Sequence, residues 1–457
     1  MAVIKSTLLW IANTASKRAS YGVAFLIIVT ATVVVSVNAI PIKATPDGIL
    51  YVASAKALFK GEFSTYYALF REPGYPFLLT VLHLFGSSGL LVIAVQATFL
   101  GSSAFIALYC VRKILRQDHV TVFQVVLTVL LTLNPMFLIY SALVLQQALF
   151  TLQLALSVLG IFWALHRPAW LPRPVLLVLI IVNYFVEIWT SIGWLYLGLV
   201  PVTAAVALVL WPSLPAKLRE AASWIRKVLR AVLIAVGMLV LFALVYLAGS
   251  QVYAGWQAVK APVAHSSPRL DAVIQPLDSV PRIPTVQEMT ARMFALMHMG
   301  TIDPYVHEND LFLTDLAIPD LWAAQWDTAY QDEPYSSYAV GFISISNPSP
   351  IFHYLFAKVS IWASPLYNAA FLGFLLAYFL SAVRRRWTLL LLLSMPLAFL
   401  AVYAASNSPI DRYGIPTYPW AVAGFGVLLT WLGQFLAKTR MAEMLHSAIR
   451  GERDKQN

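Results

Sequence analysis

Uncharged apolar stretches of about 20 residues recur along this chain between residues 21 and 436, and no other feature limits its fold so tightly. A stretch of that length crosses the hydrocarbon layer as a helix. Inside lipid every backbone N–H and C=O needs a partner, which leaves helices and closed β-barrels as spanning structures. The Ile, Leu and Val runs lack the period-2 alternation of barrel strands, so helices are expected. Composition agrees: 60% of the 457 residues are hydrophobic and 11% are charged, where a soluble domain has about 25% charged residues. A larger core does not produce that deficit.

Ten spans are expected, at 21–40, 88–110, 120–140, 142–165, 174–186, 189–211, 231–249, 366–383, 387–404 and 416–436. With the N-terminus in the cytoplasm, alternation puts 1–19, 111–119, 166–173, 212–230, 384–386 and 437–457 inside. These pieces hold 21 of the 31 Lys and Arg but only five acids (Asp118, Glu220, Glu443, Glu452 and Asp454). The inside is then +16 and the remainder −6, the asymmetry of the positive-inside rule. The net charge of +10 is therefore a topology signal facing anionic lipid, not a nucleic-acid footprint. Both termini are expected in the cytoplasm. Val37-Asn38-Ala39 is loosely compatible with a cleavage site, but the run before it exceeds a signal-peptide core, so a retained signal-anchor is expected.

The fold class is all-α integral membrane, with about ten transmembrane helices, amphipathic juxtamembrane helices in the first outer loop and a partly structured large outer loop. Residues 1–249 form an N-terminal bundle with that first outer loop at 41–75, residues 250–350 the large extracytoplasmic loop, 351–436 the C-terminal transmembrane helices and 437–457 a cytoplasmic tail. Seven prolines between Pro262 and Pro319, with aromatics throughout, suggest an irregular, partly packed loop. Its tail, 351–364, is apolar and stops at Pro365, which reads as a helix at or dipping into the interface. Cys110, the one cysteine, excludes an intramolecular disulfide and reads as a small buried residue.

The first outer loop begins Thr45-Pro46-Asp47-Gly48. Thr45 suits a helix N-cap and Pro46 the first helical position, so a short helix follows over 49–60. Ile49, Leu50, Val52, Ala53, Ala57 and Leu58 then lie toward the membrane, and Asp47, Tyr51 and Ser54 share another face. An acid in a first turn also complements the helix dipole with no further role, and spacing alone favours that plainer reading.

The same loop ends Arg71-Glu72-Pro73-Gly74-Tyr75-Pro76, followed by an apolar run to Phe85-Gly86. Asp47 and Tyr51, then Gly61, then Arg-x-Pro-Gly-Tyr-Pro, then Leu84-Phe85-Gly86 resembles the start of the GT-C membrane glycosyltransferases. The resemblance is to the protein mannosyltransferase-like branch, which also contains the bacterial transferase that adds aminoarabinose to lipid A. Asn347-Pro348 with Tyr354-Leu355 and Lys358 resembles a second stretch of that family. Asp411-Arg412-Tyr413-Gly414-Ile415-Pro416, closing on Pro419, resembles a third. The chain departs from the family at Asp47-Gly48, where many relatives carry two adjacent acids. It departs again at Gln146-Gln147 after Asn134-Pro135, where many carry a Glu, and at Glu187-Ile188-Trp189-Thr190, where many carry an Arg.

The resemblance implies inverting transfer of a sugar from a polyprenyl-phosphate-linked donor to a hydroxyl-bearing glycan, lipid or protein acceptor, with Asp47 as the catalytic acid. Four cations stand at outer span ends or turns: Lys43, Arg71, Lys358 and Arg412. Lys43 suits simple snorkelling to headgroups. Arg grips a phosphate through two parallel hydrogen bonds, so Arg412, then Lys358, then Arg71 are the expected donor-phosphate ligands. Tyr51, Tyr75 and Tyr413 are candidate substrate contacts.

No dinucleotide fingerprint or P-loop occurs and the cytoplasmic pieces are too short for a nucleotide-binding domain, which disfavours a nucleotide-sugar donor. The lack of an Asn-x-Ser/Thr sequon with a permitted middle residue points to a bacterial cytoplasmic membrane. His298, Asp303, His307, Glu308, Asp310 and Asp315 form the cluster suited to a divalent cation, without a zinc motif such as HExxH, so no cofactor is assigned. Aromatics across 322–338 suit either sugar stacking or a small loop core. Glu187 between two short spans has no assigned role. Two other classes stay open: a transporter or flippase of amphipathic substrates, which needs polar groups at mid-span, and an envelope polymerase or ligase.

Overall fold

The computed structural model describes residues 18–40, 46–69, 72–190, 205–206, 209–210, 342–344, 349–405 and 415–438. In chain order these form β1 (Arg18–Ala19), α1 (Tyr21–Ala39), α2 (Pro46–Lys60), α3 (Phe63–Ala68), α4 (Gly74–Leu84), α5 (Gly89–Ile114), β2 (Val120–Thr121), α6 (Val122–Thr132), α7 (Pro135–Ala142), α8 (Gln147–Leu165), α9 (Arg173–Thr190), α10 (Pro350–Val383), α11 (Trp387–Ala405), a 3-10 turn (Ile415–Thr417) and α12 (Tyr418–Lys438). The chain is thus mostly helical. Among the described residues, five helices are long and apolar enough to cross a membrane: Tyr21–Ala39, Gly89–Ile114, Gln147–Leu165, Arg173–Thr190 and Ile415–Leu432. That arrangement is compatible with a multi-pass membrane protein.

Surface pattern supports an apolar solvent. Only 28% of the α1 and α9 windows is buried, although both are strongly apolar. In α9 the exposed stripe is Val178, Val182, Phe185 and Trp189, whereas Asn183, Glu187 and Thr190 turn toward the protein. Water would favour the reverse; lipid favours this one.

Helix α5 is the axis of the bundle and packs on α1, α7, α8 and α12. Its contact with α1 is close because residue 101 is glycine: a Cβ there would lie 3.1 Å from both Val29 Cα and Thr32 Oγ1. Helices in lipid associate by such small-residue approach, since no hydrophobic gain separates protein from tails. The α10–α12 pair does the same twice. The Phe374 ring sits over Gly424, where a Cβ would meet it at 2.6 Å, and the Phe425 ring sits over Gly373. Each helix supplies one knob and one hole.

The two ends of the bundle sort the connections. At one end β1 pairs antiparallel with β2, Arg18 opposite Thr121 and Ala19 opposite Val120. There the Tyr21 hydroxyl donates to Gln117 O (2.7 Å), Gln124 Nε2 donates to Thr430 Oγ1 (3.3 Å) and the Arg384 guanidinium lies 4.5 Å over the Trp431 ring. At the other end Ser349 N donates to Asn38 O (2.9 Å), Gly89 N to Ser344 O (3.1 Å) and Ser344 N to Ser87 O (2.6 Å). Segments expected on one side of the membrane therefore meet at one end, and those expected on the other side meet at the other.

Three expectations change. The span expected at 120–140 breaks at Asn134: α6 stops at Thr132 and α7 restarts at Pro135. Pro135 has no N–H to continue the ladder, and Asn134 O accepts instead from Phe137 N and Leu138 N. The break expected between the spans at 174–186 and 189–211 does not occur at 187–188, because α9 runs unbroken through Glu187 to Thr190; of the second span, 191–204, 207–208 and 211 lie outside the described residues. The interfacial helix expected to stop at Pro365 does not stop there; α10 continues for 34 residues to Val383. Proline is tolerated in a helix whose neighbours re-satisfy the freed carbonyl. At about 1.5 Å per residue this helix exceeds the hydrocarbon thickness, so it tilts or extends past the layer. Cys110 is buried and free, as expected. The span at 231–249, the 250–350 loop except 342–344 and 349–350, and the 437–457 tail except Ala437 and Lys438 lie outside the described residues.

Candidate functional site

Asp47 is the second residue of α2, directly after Pro46 at the helix start. Its backbone is therefore first-turn, one helical turn before Tyr51 on the same stripe. The α2 helix begins at Pro46, the expected first helical position. It does not lie with one face on lipid as the spacing suggested. Ile49, Val52, Ala53, Ala55 and Ala57 are buried in protein, and so are Tyr51 and Ser54 on the expected polar face. Ala55, on the same stripe as Tyr51 and Phe59, is small enough to let α4 approach.

Helices α2 and α4 run parallel, joined by three rungs. The Tyr51 and Tyr75 rings meet edge-to-face at 5.2 Å. Thr80 Oγ1 shares its proton between Pro76 O of its own helix (2.9 Å) and Ala55 O of α2 (3.1 Å). Phe59 meets His83 edge-to-face at 4.7 Å. His83 in turn stacks on Phe342 at 4.1 Å, and its Nδ1 lies 3.0 Å from Phe342 O. The rungs fall at every fourth residue of α2, one per turn.

The Pro-Gly-Tyr-Pro run acquires a physical role as a docking corner. Gly74 abuts the end of α9: a Cβ there would lie 2.7 Å from Thr190 Oγ1 and 2.9 Å from Trp189 O. Only glycine fits. Tyr75 is fully buried and its hydroxyl donates to Gln96 Oε1 (2.9 Å) in α5. Gln96 Nε2 donates to Ser141 O (2.9 Å) and Leu143 O (3.1 Å), at the turn between α7 and α8. Tyr51 and Tyr75, expected as substrate contacts, thus meet each other and the bundle interior.

A second polar group joins α8 to α9. Ser157 Oγ donates to Glu187 Oε1 (2.8 Å). Asn183 Nδ2 donates to Ser157 Oγ (2.9 Å) and Gln153 O (3.2 Å), and Gln153 Nε2 donates to Thr190 Oγ1 (2.9 Å). Glu187 is fully buried, not at an outer turn. Thr190 connects this group to the Gly74 corner.

Lys358 is a backbone position on α10, as are Tyr354 and Leu355. Lys43, Arg71, Asp411, Arg412 and Tyr413 lie outside the described residues, as do Asn347-Pro348, the His298–Asp315 cluster and the aromatics of 322–338. Ile415, Pro416 and Thr417 form the buried 3-10 turn that leads into α12. Among the described residues no group of three His, Cys, Asp or Glu is placed to hold a metal ion. Sequence reasoning missed Gln96, Gln153 and Ser157. Their one signal is a polar side chain within an apolar run, which in lipid demands a partner. The chain matches no family model, no curated protein and no solved structure.

Proposed function

We propose that this chain is an inverting glycosyltransferase of the GT-C kind. It moves a sugar from a polyprenyl-phosphate carrier to a hydroxyl of an envelope glycan, lipid or protein, on the outer face of a bacterial cytoplasmic membrane. One observation carries the reading beyond motif resemblance. The residue in the position of the family's catalytic acid stands in the first turn of a helix held on three rungs at the bundle end. A general base needs that fixed placement, because misplacement by an ångström is costly in rate.

In the reaction the acceptor oxygen attacks the anomeric carbon and forms the new C–O bond. The bond from that carbon to the carrier phosphate oxygen breaks, and the phosphate keeps the electron pair. Asp47 takes the proton of the acceptor hydroxyl. Charge grows on the leaving phosphate, where Arg412, Lys358 and Arg71 are the cations assigned to stabilise it. The test is transfer by purified Asp47→Asn enzyme from a labelled lipid-phosphate sugar. We expect a loss of about 10²–10⁴-fold with donor binding retained. Near wild-type turnover returns Asp47 to the helix-dipole reading.

One observation favours the transporter reading: Glu187 is a buried acid inside a candidate span. Its carboxylate already has a structural partner, since it accepts from Ser157 Oγ within the α8–α9 polar group. Substrate counterflow in proteoliposomes that survives Asp47→Asn and is lost in Glu187→Gln would establish that reading instead.

A further inference from the structure

We propose that Gln96 is a positioning residue, which holds the Asp47-bearing helix in place by tying Tyr75 to the non-helical turn between α7 and α8. The inference rests on the glycosyltransferase reading for what it positions. Its geometry is independent of that reading.

The turn creates the need. Helix α7 ends at Ala142 and α8 starts at Gln147, so the backbone between them leaves the helical ladder while Leu143, Val144 and Leu145 are all buried. Carbonyls freed inside an apolar layer require donors from elsewhere in the protein. Gln96 is fully buried and supplies both of its N–H groups, to Ser141 O and Leu143 O. Because both partners are acceptors, the amide nitrogen must face them, and the amide oxygen is left facing Tyr75. The Tyr75 hydroxyl then has one direction in which to donate. One side chain thereby fixes the turn, the register of α5 and the first turn of α4 together.

The connection reaches Asp47 through aromatic contact. The Tyr75 ring meets Tyr51 edge-to-face, and Tyr51 follows Asp47 by one helical turn. A leucine at position 96 would fill similar volume. It would remove the side-chain donor from Ser141 O and the acceptor from the Tyr75 phenol, while Leu143 O would keep only the Leu145 N–H at 2.8 Å. The same turn carries Gln146 and Gln147, whose Oε1 atoms are buried without hydrogen-bond partners. The corner therefore concentrates polar groups on one side of the bundle interior, with Gln96 as the member that bridges three helices.

The test separates position from chemistry. In a Cys110→Ala background, nitroxides are placed at Lys60→Cys on the exposed end of α2 and Arg385→Cys on the exposed turn after α10, and their distance distribution is measured in the full chain. Gln96→Leu is expected to broaden or shift that distribution. It should also lower kcat about 10- to 100-fold with donor KM unchanged. Tyr75→Phe keeps the ring and removes only the donor, so it should do the same to a smaller degree and covers the case in which Gln96→Leu fails to fold. Asp47→Asn should lower transfer about 10²–10⁴-fold and leave the distribution narrow. An unchanged distribution in both latch variants, or a changed one with unchanged kcat, overturns the proposal. If the unmutated enzyme transfers no sugar, the glycosyltransferase reading falls by itself, and the distance measurement alone decides whether Gln96 holds α2.

Discussion

The α10–α12 pair and the α2–α4–α5 corner solve the same problem in opposite ways. Between α10 and α12 the described packing is an interlock of shape, with Phe374 over Gly424 and Phe425 over Gly373, closed at one end by the Arg384 guanidinium over the Trp431 ring. At the corner the contact is directional, running from Tyr75 through Gln96 to two backbone carbonyls. Lipid tails are as apolar as leucine, so burial by itself does not draw helices together, and interlocking shape supplies the close packing. Shape resists separation but permits small sliding. A hydrogen-bonded chain fixes both distance and angle, which is what an element carrying a reacting group requires. The molecule thus uses packing where it needs cohesion and polar links where it needs placement.

The largest expected effect on stability that tests this contrast is Gly373→Leu. It fills the hole under Phe425 and should cost about 1–3 kcal/mol by overpacking, seen as a lower thermal midpoint in detergent. Adding Phe425→Ala should recover much of the loss, as a shape interlock demands; no recovery would break the comparison. Gly74→Ala comes next. Its Cβ would crowd both the Thr190 side chain and Trp189 backbone atoms. Thr190→Ala should therefore fail to rescue it, since the backbone contact remains. Protease or hydrogen-exchange protection of α4 should fall while that of α12 holds. The smallest expected effect is Ser157→Ala, which removes two hydrogen bonds, one donated to Glu187 and one accepted from Asn183. Interhelical hydrogen bonds in membranes average about 0.6 kcal/mol, so the thermal midpoint should move only slightly. A large drop would show that the α8–α9 polar group carries stability that packing was assigned here.

Hydropathy made much of the fold legible. The span expected at 21–40 is α1, that at 88–110 lies within α5, and those at 387–404 and 416–436 match α11 and α12 within a few residues. Each is bounded by charge or a turn signal. The misreadings share a cause. In the sequence Pro365 reads as a stop and Glu187 as an acid between two short spans, since each is costly in an isolated helix in lipid. In the folded chain Glu187 is hydrogen-bonded to Ser157 within the bundle, and α10 carries Pro365 without ending. Asn134 was passed over because residues on both sides of it are apolar. The candidate site was legible only in outline. The position of Asp47 in a first turn follows from Thr45-Pro46, but the partners of Gln96 are backbone carbonyls, which any sequence could supply. Nothing in a string of residues marks which carbonyls a fold will leave in need.

The order of the corner along the chain has a consequence for biogenesis. Tyr51, Tyr75, Gln96, Ser141 and Leu143 all lie in the first 143 of 457 residues. Each donor is synthesised before the carbonyl it serves, so the latch has all of its parts once α7 has left the ribosome and entered the bilayer. The segment that covers it, Phe342 on His83 and Ser344 on Ser87 and Gly89, follows some 200 residues later. The glycine–phenylalanine interlock waits for α12. Assembly of this end of the bundle thus proceeds as a frame built early and closed late, and an arrested nascent chain ending beyond residue 190 already contains the frame.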